Sequence, residues 1–598
     1  MSTIDTRPAR SGRFKELGLL VCALAIPLFA WILLTSNIEG GGTLKMPDNF
    51  ALIAGSAAAL IFVAHLVIRA VTPSADPLFF PIAVILNGLG LVMIARIDYS
   101  LIANGEEPEV SGQLILSAAG IVAMVVCVLV IRDHRKLRRF TYISLVLGLI
   151  FLALPMVPGL GVTNNGAQIW INAFGHSYQP AELSKIFLAV FFAGYFVSQR
   201  DNLSLAGPKI LGIPFPQPRH IAPILVAWLA CLGILAVERD FGTALLFFGL
   251  FVAMLYVATE RVSWIVIGVL LSTGGIYVVI KTMAHIQNRI NIWLHALEPA
   301  VYDGDPGSYQ LVQGLFGMAN GGLFGTGWGK GYPANAYAAN SDFIIPSLSE
   351  EIGLTGVMAI LCLFLLFVAR AFAVGLHLSD GFGKLLATAF GFIIAIQCFV
   401  VVGGVTRVIP LTGLAMPFMA LGGSALLTNW MIVGILIRMS DDARRPKRAP
   451  STPISMIDTG ELSKILGDDA VSDDTFLGGD AISGSDAAPT SVTAVSGTTG
   501  GAGGISANGT APDRTALSGI AVGSISPAGA ANLAGIADVP GTTATAPVTQ
   551  AAATGVTERR GKHSHSSASA ASGQRMDATG SSGSSSADDS NPTEVVRL

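Results

Sequence analysis

Three carboxylates stand directly before a long hydrophobic run, in the stretch NSDFIIPSLSEEIG (residues 340–353). They are Asp342, Glu350 and Glu351, and charged side chains that persist at a membrane are usually paired or functional. A carboxylate can take a proton during catalysis, hold a divalent cation or cap a helix. Asp342 is therefore a candidate catalytic residue, with capping of a short helix that begins at the next residue as the alternative. Glu350 and Glu351 are adjacent and point about 100° apart on a helix, so we assign them to separate supporting contacts.

A second charged group opens a hydrophobic run further upstream, in YQPAELSK (residues 178–185). Glu182 and Lys185 are three residues apart, so on a helix they share a face and can form an ion pair. A lysine at full membrane depth costs about 2.5–3.5 kcal/mol, so such a side chain usually faces a partner or a cavity. The pair either stabilises a helix start or brings a cation to a polar cavity.

Other charged residues occur in the segments that join the hydrophobic runs. In ERDFGTALL (residues 238–246), Asp240 either caps the next helix or belongs to the rim of a cavity. The glycine-rich stretch GGLFGTGWGKGYP (residues 321–333) carries Lys330 but lacks the spacing of a phosphate-binding P-loop. It predicts either a flexible loop or a backbone that approaches a substrate closely. The candidate substrate-binding residues are Glu182, Lys185, Asp240, Arg289, Lys330, Glu350, Glu351 and Arg407.

The two parts of the chain differ in composition. Of 598 residues, 52% are hydrophobic and only 13% are charged, whereas soluble domains carry about 25% charged residues. Residues 1 to about 440 contain repeated apolar runs of the length that predicts transmembrane helices. From about Ser451 the sequence is dominated by Ala, Gly, Ser and Thr. We expect this tail to be disordered, because it cannot bury enough apolar surface to offset its ordering entropy.

The distribution of basic residues predicts the orientation of the spans. Lys and Arg concentrate in cytoplasmic loops, and the basic segment 7–15 therefore places the N-terminus inside. Twelve alternating spans then place the basic clusters at 132–139 and 438–448 inside as well. The acidic loop 98–112 and the long stretch 282–352 fall outside. The predicted spans lie near residues 17–36, 51–70, 77–96, 114–132, 140–157, 180–198, 221–237, 241–258, 262–281, 353–373, 384–404 and 414–437.

Five motifs resemble, in the same order, those of the shape, elongation, division and sporulation (SEDS) proteins. NGAQIWINAFGHSYQPAELSK resembles the GxxRWI…QPSExxK pattern, ERDFGTALL resembles QPDLGTALL, and GGLFGTGWGKG resembles GGLFGKGLGNG. NSDFIIPSLSEEIG resembles HTDFIFAxxxEELG, and VIPLTGLAMPFMALGGSALL resembles VIPxTGxPLPFxSYGGSSLL. Gln168 stands where the family usually has an arginine, and Asn340 and Ser341 replace His-Thr. The Asn-Ser-Asp-Phe-Ile form is most like the actinobacterial RodA branch.

The resemblance implies an all-α polytopic membrane protein with about twelve transmembrane helices, a ten-helix core preceded by two additional N-terminal helices. Together with the orientation above, the resemblance implies a multi-pass protein of the cytoplasmic membrane whose N- and C-termini are cytoplasmic. The expected organisation is a cytoplasmic N-terminus (1–16), two added helices (17–74), the membrane core (75–440) with a large extracytoplasmic loop (282–352), and a disordered tail (441–598).

SEDS proteins are peptidoglycan glycosyltransferases that polymerise lipid II outside the membrane and pair with a class B penicillin-binding transpeptidase. The resemblance therefore implies that Asp342 is the catalytic carboxylate. It leaves Lys185, Arg289, Lys330 and Arg407 as candidates for binding the pyrophosphate leaving group. A divalent cation, Mg²⁺ or Mn²⁺, could share that role, and no cofactor is certain.

The expected biological role is cell elongation and shape maintenance, as for RodA. A septal, FtsW-like polymerase, a lipid II flippase and a non-catalytic scaffold for the transpeptidase are the alternatives. Expected partners are lipid II, the transpeptidase, membrane lipid and, at the tail, cytoplasmic regulators. No nucleic-acid partner is expected.

Overall fold

Long α-helices make up most of the described residues in the computed structural model. The structure describes residues 10–164, 167–173, 176–204, 209–210, 213–214, 218–304 and 307–445. From residue 446 onward, the predicted tail lies outside the described residues. The α-helices are α1 (Arg10–Ile38), α2 (Phe50–Val71), α3 (Phe79–Ala103), α4 (Val110–Val130), α5 (Thr141–Ala153), α6 (Pro180–Ser204), α7 (Pro218–Glu238), α8 (Phe241–Thr259), α9 (Ser263–Thr282), α10 (Ala284–Leu294), α11 (Pro299–Tyr302), α12 (Tyr309–Gly321), α13 (Ile344–His377), α14 (Gly381–Val405) and α15 (Gly423–Arg444).

The helical, multi-pass class predicted from the sequence is confirmed. Within the described part of the chain, 11 helices are long and apolar enough to cross a membrane. The remaining predicted span, near 221–237, corresponds to a shorter apolar helix, Ala222–Glu238. Helices are the expected solution, because each one satisfies its own backbone polar groups away from water.

Two predicted boundaries differ from the structure. The tenth span was expected to begin near 353, but α13 begins at Ile344 and is interrupted at Gly353, where φ is 73°. The sequence pattern therefore located the kink rather than the helix start. The last span was expected from 414, but α15 begins at Gly423. The apolar run is broken by Pro417, which disfavours a helix at the residue before it.

Two small antiparallel sheets accompany the helices and were not predicted. One joins β1 (Gly161–Asn164), β2 (Ala167–Ala173) and β3 (His176–Tyr178) in that order. The other joins β4 (Lys209–Ile210) and β5 (Ile213–Pro214). The first sheet leads directly into α6, with Ile171 opposite Tyr178 in the register. It therefore fixes where the YQPAELSK helix begins.

The two additional N-terminal helices pack on the rest of the bundle. α1 packs along α3, and α2 packs along α4. Near one end of the pair, the Glu16 carboxylate lies 3.0 Å from Nδ1 of His65, and both side chains are buried. Polar pairing of this kind orients two apolar helices that lipid alone would not hold together.

Candidate functional site

The predicted ion pair at the start of α6 is confirmed. Nζ of Lys185 lies 2.6 Å from Oε2 of Glu182, and both side chains are almost completely buried. Lys185 also donates to Oε1 of Gln397 in α14 at 3.0 Å. Gln397 in turn donates to the carbonyl of Ala415 at 2.8 Å. The pair is thereby connected to the irregular segment 406–422 that joins α14 to α15, which we call the α14–α15 segment.

Asp240 caps the next helix and also lies near the Glu182–Lys185 pair. Its Oδ1 accepts a hydrogen bond from the backbone N–H of Thr243 at 2.9 Å, so it caps α8 as one alternative predicted. Burial raises the pKa of Asp240; the hydrogen bonds from Thr243 and the charge of Lys185 oppose this rise, whereas Glu182 adds to it. Asp240 therefore lies within electrostatic reach of the Glu182–Lys185 pair.

Asp342 lies immediately before α13 and does not cap it. The N-cap residue is Phe343, and no side-chain hydrogen bond caps the helix, so the capping alternative is wrong. The carboxylate faces the α14–α15 segment, because a Cβ atom added to Gly413 would lie 3.6 Å from Oδ2 of Asp342. Burial raises the pKa of Asp342 to about 6, and the positive charge of Arg289 limits the rise. The pKa of the Asp342 carboxyl group therefore lies closer to neutral pH than that of an ordinary aspartate.

Arg289 in α10 lies within electrostatic reach of both aspartates. Its Nη1 donates to the carbonyl of Leu411 at 3.1 Å and to that of Thr412 at 3.3 Å. Burial lowers the pKa of Arg289, and the charges of Asp240 and Asp342 oppose that effect. A guanidinium remains charged in proteins and has five N–H donors, so donors remain for a bound anion.

Glu350 supports the glycine-rich loop, defined as residues 321–333. Its Oε1 accepts hydrogen bonds from Nδ2 of Asn320 at 2.9 Å and from the backbone N–H of Tyr332 at 3.0 Å. The backbone carbonyl of the same glutamate accepts from the N–H of Thr326 at 2.9 Å. Glu350 therefore holds the glycine-rich loop at two positions, Thr326 and Tyr332.

Glu351 supports the same loop through different contacts, as its orientation on the helix predicts. Its Oε1 lies 2.8 Å from Nε of Arg96 in α3. Its Oε2 accepts from the backbone N–H of Gly329 at 2.9 Å. Gly325 has a φ of 82°, and a Cβ there would collide with the carbonyl of Glu351. The glycines therefore allow the loop to lie against the kinked part of α13.

The other two candidate cations lie apart from this network. Lys330 is exposed on the glycine-rich loop. Arg407 donates through Nη2 to the carbonyl of Trp293 at 2.8 Å, and the Trp293 indole donates back to the carbonyl of Arg407 at 3.0 Å. Arg407 thus binds the end of α10, the helix that carries Arg289. The structure brings together Glu182, Lys185, Asp240, Arg289 and Asp342.

All of these site residues lie within the part of the chain that matches a known protein family. The FtsW/RodA/SpoVE family, described as cell cycle protein, matches residues 77–445. The chain belongs to this family. RodA of Mycobacterium tuberculosis, a peptidoglycan glycosyltransferase, is 41% identical over 466 residues, which cover 77% of this chain and 98% of the relative. RodA of Mycobacterium leprae is 40% identical over the same shares. An FtsW of Geobacter metallireducens is 32% identical over 371 residues, 61% of this chain and 94% of the relative.

Two solved structures are also similar to the chain. A chain of a peptidoglycan synthase complex that coordinates polymerization and crosslinking matches with 21% identity and a TM-score of 0.46, covering 60% of this chain and 98% of that chain. The rod shape determining protein RodA of Thermus thermophilus matches with 21% identity and a TM-score of 0.42, covering 62% and 99%.

In this FtsW/RodA protein, the first added helix reaches the glycine-rich loop, which the sequence did not predict. Nδ2 of Asn37 in α1 donates to the carbonyl of Trp328 at 2.7 Å. The Trp328 side chain packs with a small cluster that includes Leu34 and Ile38. Arg96 was also missed, although an arginine within an apolar run carried the same signal of charge at depth that identified Lys185.

A group of side chains close enough to share a metal lies away from Asp342. Among the described residues, Asp133, His134 and Asp442 form such a group. Both ring nitrogens of His134 already face carboxylates, at 3.0 Å from Asp380 and 3.1 Å from Asp442. This FtsW/RodA protein therefore holds that histidine between two carboxylates, where it links the segment after α4 to α14 and α15.

Proposed function

We propose that the protein is a RodA-type peptidoglycan glycosyltransferase, which polymerises lipid II on the outer face of the cytoplasmic membrane during cell elongation. The observation that carries the proposal is the buried Asp342 carboxylate within electrostatic reach of Arg289, whose charge also acts on Asp240 near the Glu182–Lys185 pair. This arrangement supplies a carboxylate of raised pKa and a cation with free donors at one place. The identity to mycobacterial RodA proteins supports the same activity.

The reaction assigns complementary roles to these two side chains. A GlcNAc 4-hydroxyl attacks the anomeric carbon of a second substrate, and the bond to undecaprenyl pyrophosphate breaks with its electron pair leaving on the phosphate oxygen. The hydroxyl proton passes to Asp342, which acts as the general base. Arg289 stabilises the charge that develops on the pyrophosphate. Correct orientation must supply much of the rate, because a carboxylate is a weak base.

The other candidate cations are less suited than Arg289 to bind the pyrophosphate. The Lys185 ammonium already bonds to Glu182 and Gln397, so we assign it to holding α6 against α14. Arg407 is engaged with backbone carbonyls of α10. Lys330 is exposed on the loop and stays a candidate for a second phosphate contact.

The side chains around Asp342 do not make a cage for Mg²⁺ or Mn²⁺. Such ions prefer several oxygen ligands, commonly two or more carboxylates or a carboxylate with substrate phosphates. Among the described residues, the charged neighbour of Asp342 is the cation Arg289 rather than a second carboxylate. A metal ion here would need the substrate phosphates in addition to Asp342, and the proposed mechanism assigns no step to one.

The test of the function is polymerisation of labelled lipid II by the purified full-length protein, alone and with a class B penicillin-binding transpeptidase, its proposed partner. We expect glycan strands and released undecaprenyl pyrophosphate. Translocation of lipid II across vesicles without any strand would support the flippase alternative instead. Absence of both, with unchanged binding of the transpeptidase, would support the scaffold.

We expect the segment between α9 and α13 to be extracytoplasmic and the tail to be cytoplasmic. The basis is the Lys and Arg distribution of the loops. In a background with the five native cysteines replaced, a membrane-impermeant maleimide should label Gly304→Cys on intact cells but leave Ser496→Cys protected. The reverse pattern would put Asp342 on the wrong side for lipid II polymerisation.

Truncation after residue 450 is expected to leave polymerisation within about twofold of the parent. The cut spares the end of α15, where Arg444 pairs with Asp76 and Arg445 with Asp441. The tail is rich in Ala, Gly, Ser and Thr and has too little apolar sequence to pack on the catalytic face. Matched membrane levels of the two proteins provide the control, and a well-inserted but inactive truncation would refute this expectation.

A further inference from the structure

A cavity of about 200 Å³ lies between α12, the first turns of α13 and the glycine-rich loop. Its wall combines polar groups with aromatic rings. The polar part includes Gln313, Asn320, Asn335 and Glu350, and the rings belong to Phe316 and Tyr332. Asp342 is not part of this wall, so the cavity is separate from the reacting centre.

Glu350 offers the cavity an unused acceptor. Only 5% of the residue is exposed, and its Oε1 already accepts from Asn320 and from the N–H of Tyr332. Among the described residues, no hydrogen bond reaches its Oε2. That oxygen lies beside Gly317, another wall residue, where an added Cβ would be 3.3 Å from it. A carboxylate oxygen that accepts no hydrogen bond from the protein can accept one from a ligand in the cavity.

The chemical groups of the cavity wall determine which class of ligand can bind. None of the described residues that line the cavity is a lysine or an arginine, and a buried carboxylate disfavours a second anion. The pyrophosphate of the lipid substrate is therefore excluded. Amides and a carboxylate match hydroxyl and acetamido groups, while ring faces cover the apolar side of a sugar.

We propose that this cavity binds one N-acetylhexosamine ring of the glycan, next to the sugar that reacts. The inference rests on the proposed function, since it assigns the sugar to the peptidoglycan strand. Pro346 and Ser347 of the wall lie in the first turn of α13, which begins two positions after Asp342. A sugar held here orients its neighbour toward the carboxylate, which is the positioning that a weak base requires.

The experiment measures binding of chitotriose, a soluble GlcNAc trimer, to the full-length protein by saturation-transfer NMR. We expect Gln313→Ala and Asn335→Ala each to weaken binding by about five- to tenfold. The same variants should raise KM for lipid II with little change in kcat. The matched control is Gln310→Ala on the same helix, whose amide is exposed and donates to the carbonyl of Tyr337 at 2.9 Å. Asp342→Asn should retain chitotriose binding, because it lies outside the cavity.

The outcomes separate this site from the proposed activity. If the parent polymerises lipid II but both cavity variants keep parental KM and chitotriose binding, the sugar site is overturned and the activity stands. If the parent makes no strand but chitotriose binding depends on Gln313 and Asn335, the site stands and the activity fails. Thermal midpoints of all variants should equal that of the parent. Asn335→Ala is the decisive variant, because its side chain is exposed and its removal leaves the packing of the fold unchanged.

Discussion

Asp342→Asn is expected to lower glycan polymerisation by roughly 10²–10⁴-fold while the protein stays folded and inserted in the membrane. General-base roles typically contribute that factor, which corresponds to about 3–5.5 kcal/mol of barrier. Asparagine has nearly the same size but cannot take a proton. The carboxylate caps no helix, so a structural loss of that kind does not compete with the catalytic one.

The measurement is strand formation from lipid II at matched expression and matched binding to the transpeptidase. Glu350→Gln and Glu351→Gln serve as comparison variants and should fall between the parent and Asp342→Asn. Both glutamates hold the glycine-rich loop, so their substitution should displace it without removing the base. Activity of Asp342→Asn within a few-fold of the parent would transfer the catalytic role to another residue.

The same carboxylate should set the acid side of the pH profile. Burial raises the pKa of Asp342 to about 6, with Arg289 opposing the rise. The form that accepts the proton is the ionised one, which prevails above this pKa and is lost below it. The rate should therefore be level above about pH 7 and fall about tenfold per pH unit below about pH 5. The residual activity of Asp342→Asn should lack this acid limb.

The sequence predicted local features of the site well. Glu182 and Lys185 form the pair that their helical spacing indicated, and Asp240 caps α8 as one alternative proposed. Spacing within one helix is fixed by 3.6 residues per turn, so such contacts need no knowledge of the neighbouring helices. The twelve apolar runs were equally readable, because length and hydrophobicity decide whether a helix can span a membrane.

Contacts between distant segments could not be predicted in the same way. Arg96 pairs with Glu351 across 255 positions of sequence, and Arg289 reaches carbonyls more than 100 positions further along. Hydropathy identifies spans but does not specify which helices are neighbours. Residues 414–422, which precede α15, were also misread as membrane helix, because an apolar segment covered by protein has the same composition as one covered by lipid.

Lys185→Ala is expected to harm folding or activity more than Arg407→Ala does. The reason is burial: the Lys185 side chain is 2% exposed and that of Glu182 is 5% exposed. Removing one member of a buried ion pair leaves an uncompensated charge, which typically costs about 3–5 kcal/mol. Arg407 is only partly buried and bonds to carbonyls at the end of α10, where water can replace it. Thermal midpoint and polymerisation rate should be measured for both variants, and a larger loss in Arg407→Ala would contradict this ranking.

The double variant Glu182→Ala/Lys185→Ala identifies the cause of the loss. It removes both charges, so the penalty of a stranded Glu182 carboxylate disappears, while any contact between the ammonium and the substrate remains lost. Recovery of the thermal midpoint without recovery of polymerisation would mean that Lys185 contacts the pyrophosphate together with Arg289. Recovery of both would make the pair purely structural. We expect the second result, because Glu182 and Gln397 already occupy the Lys185 ammonium, whereas Arg289 retains guanidinium donors beside Asp342.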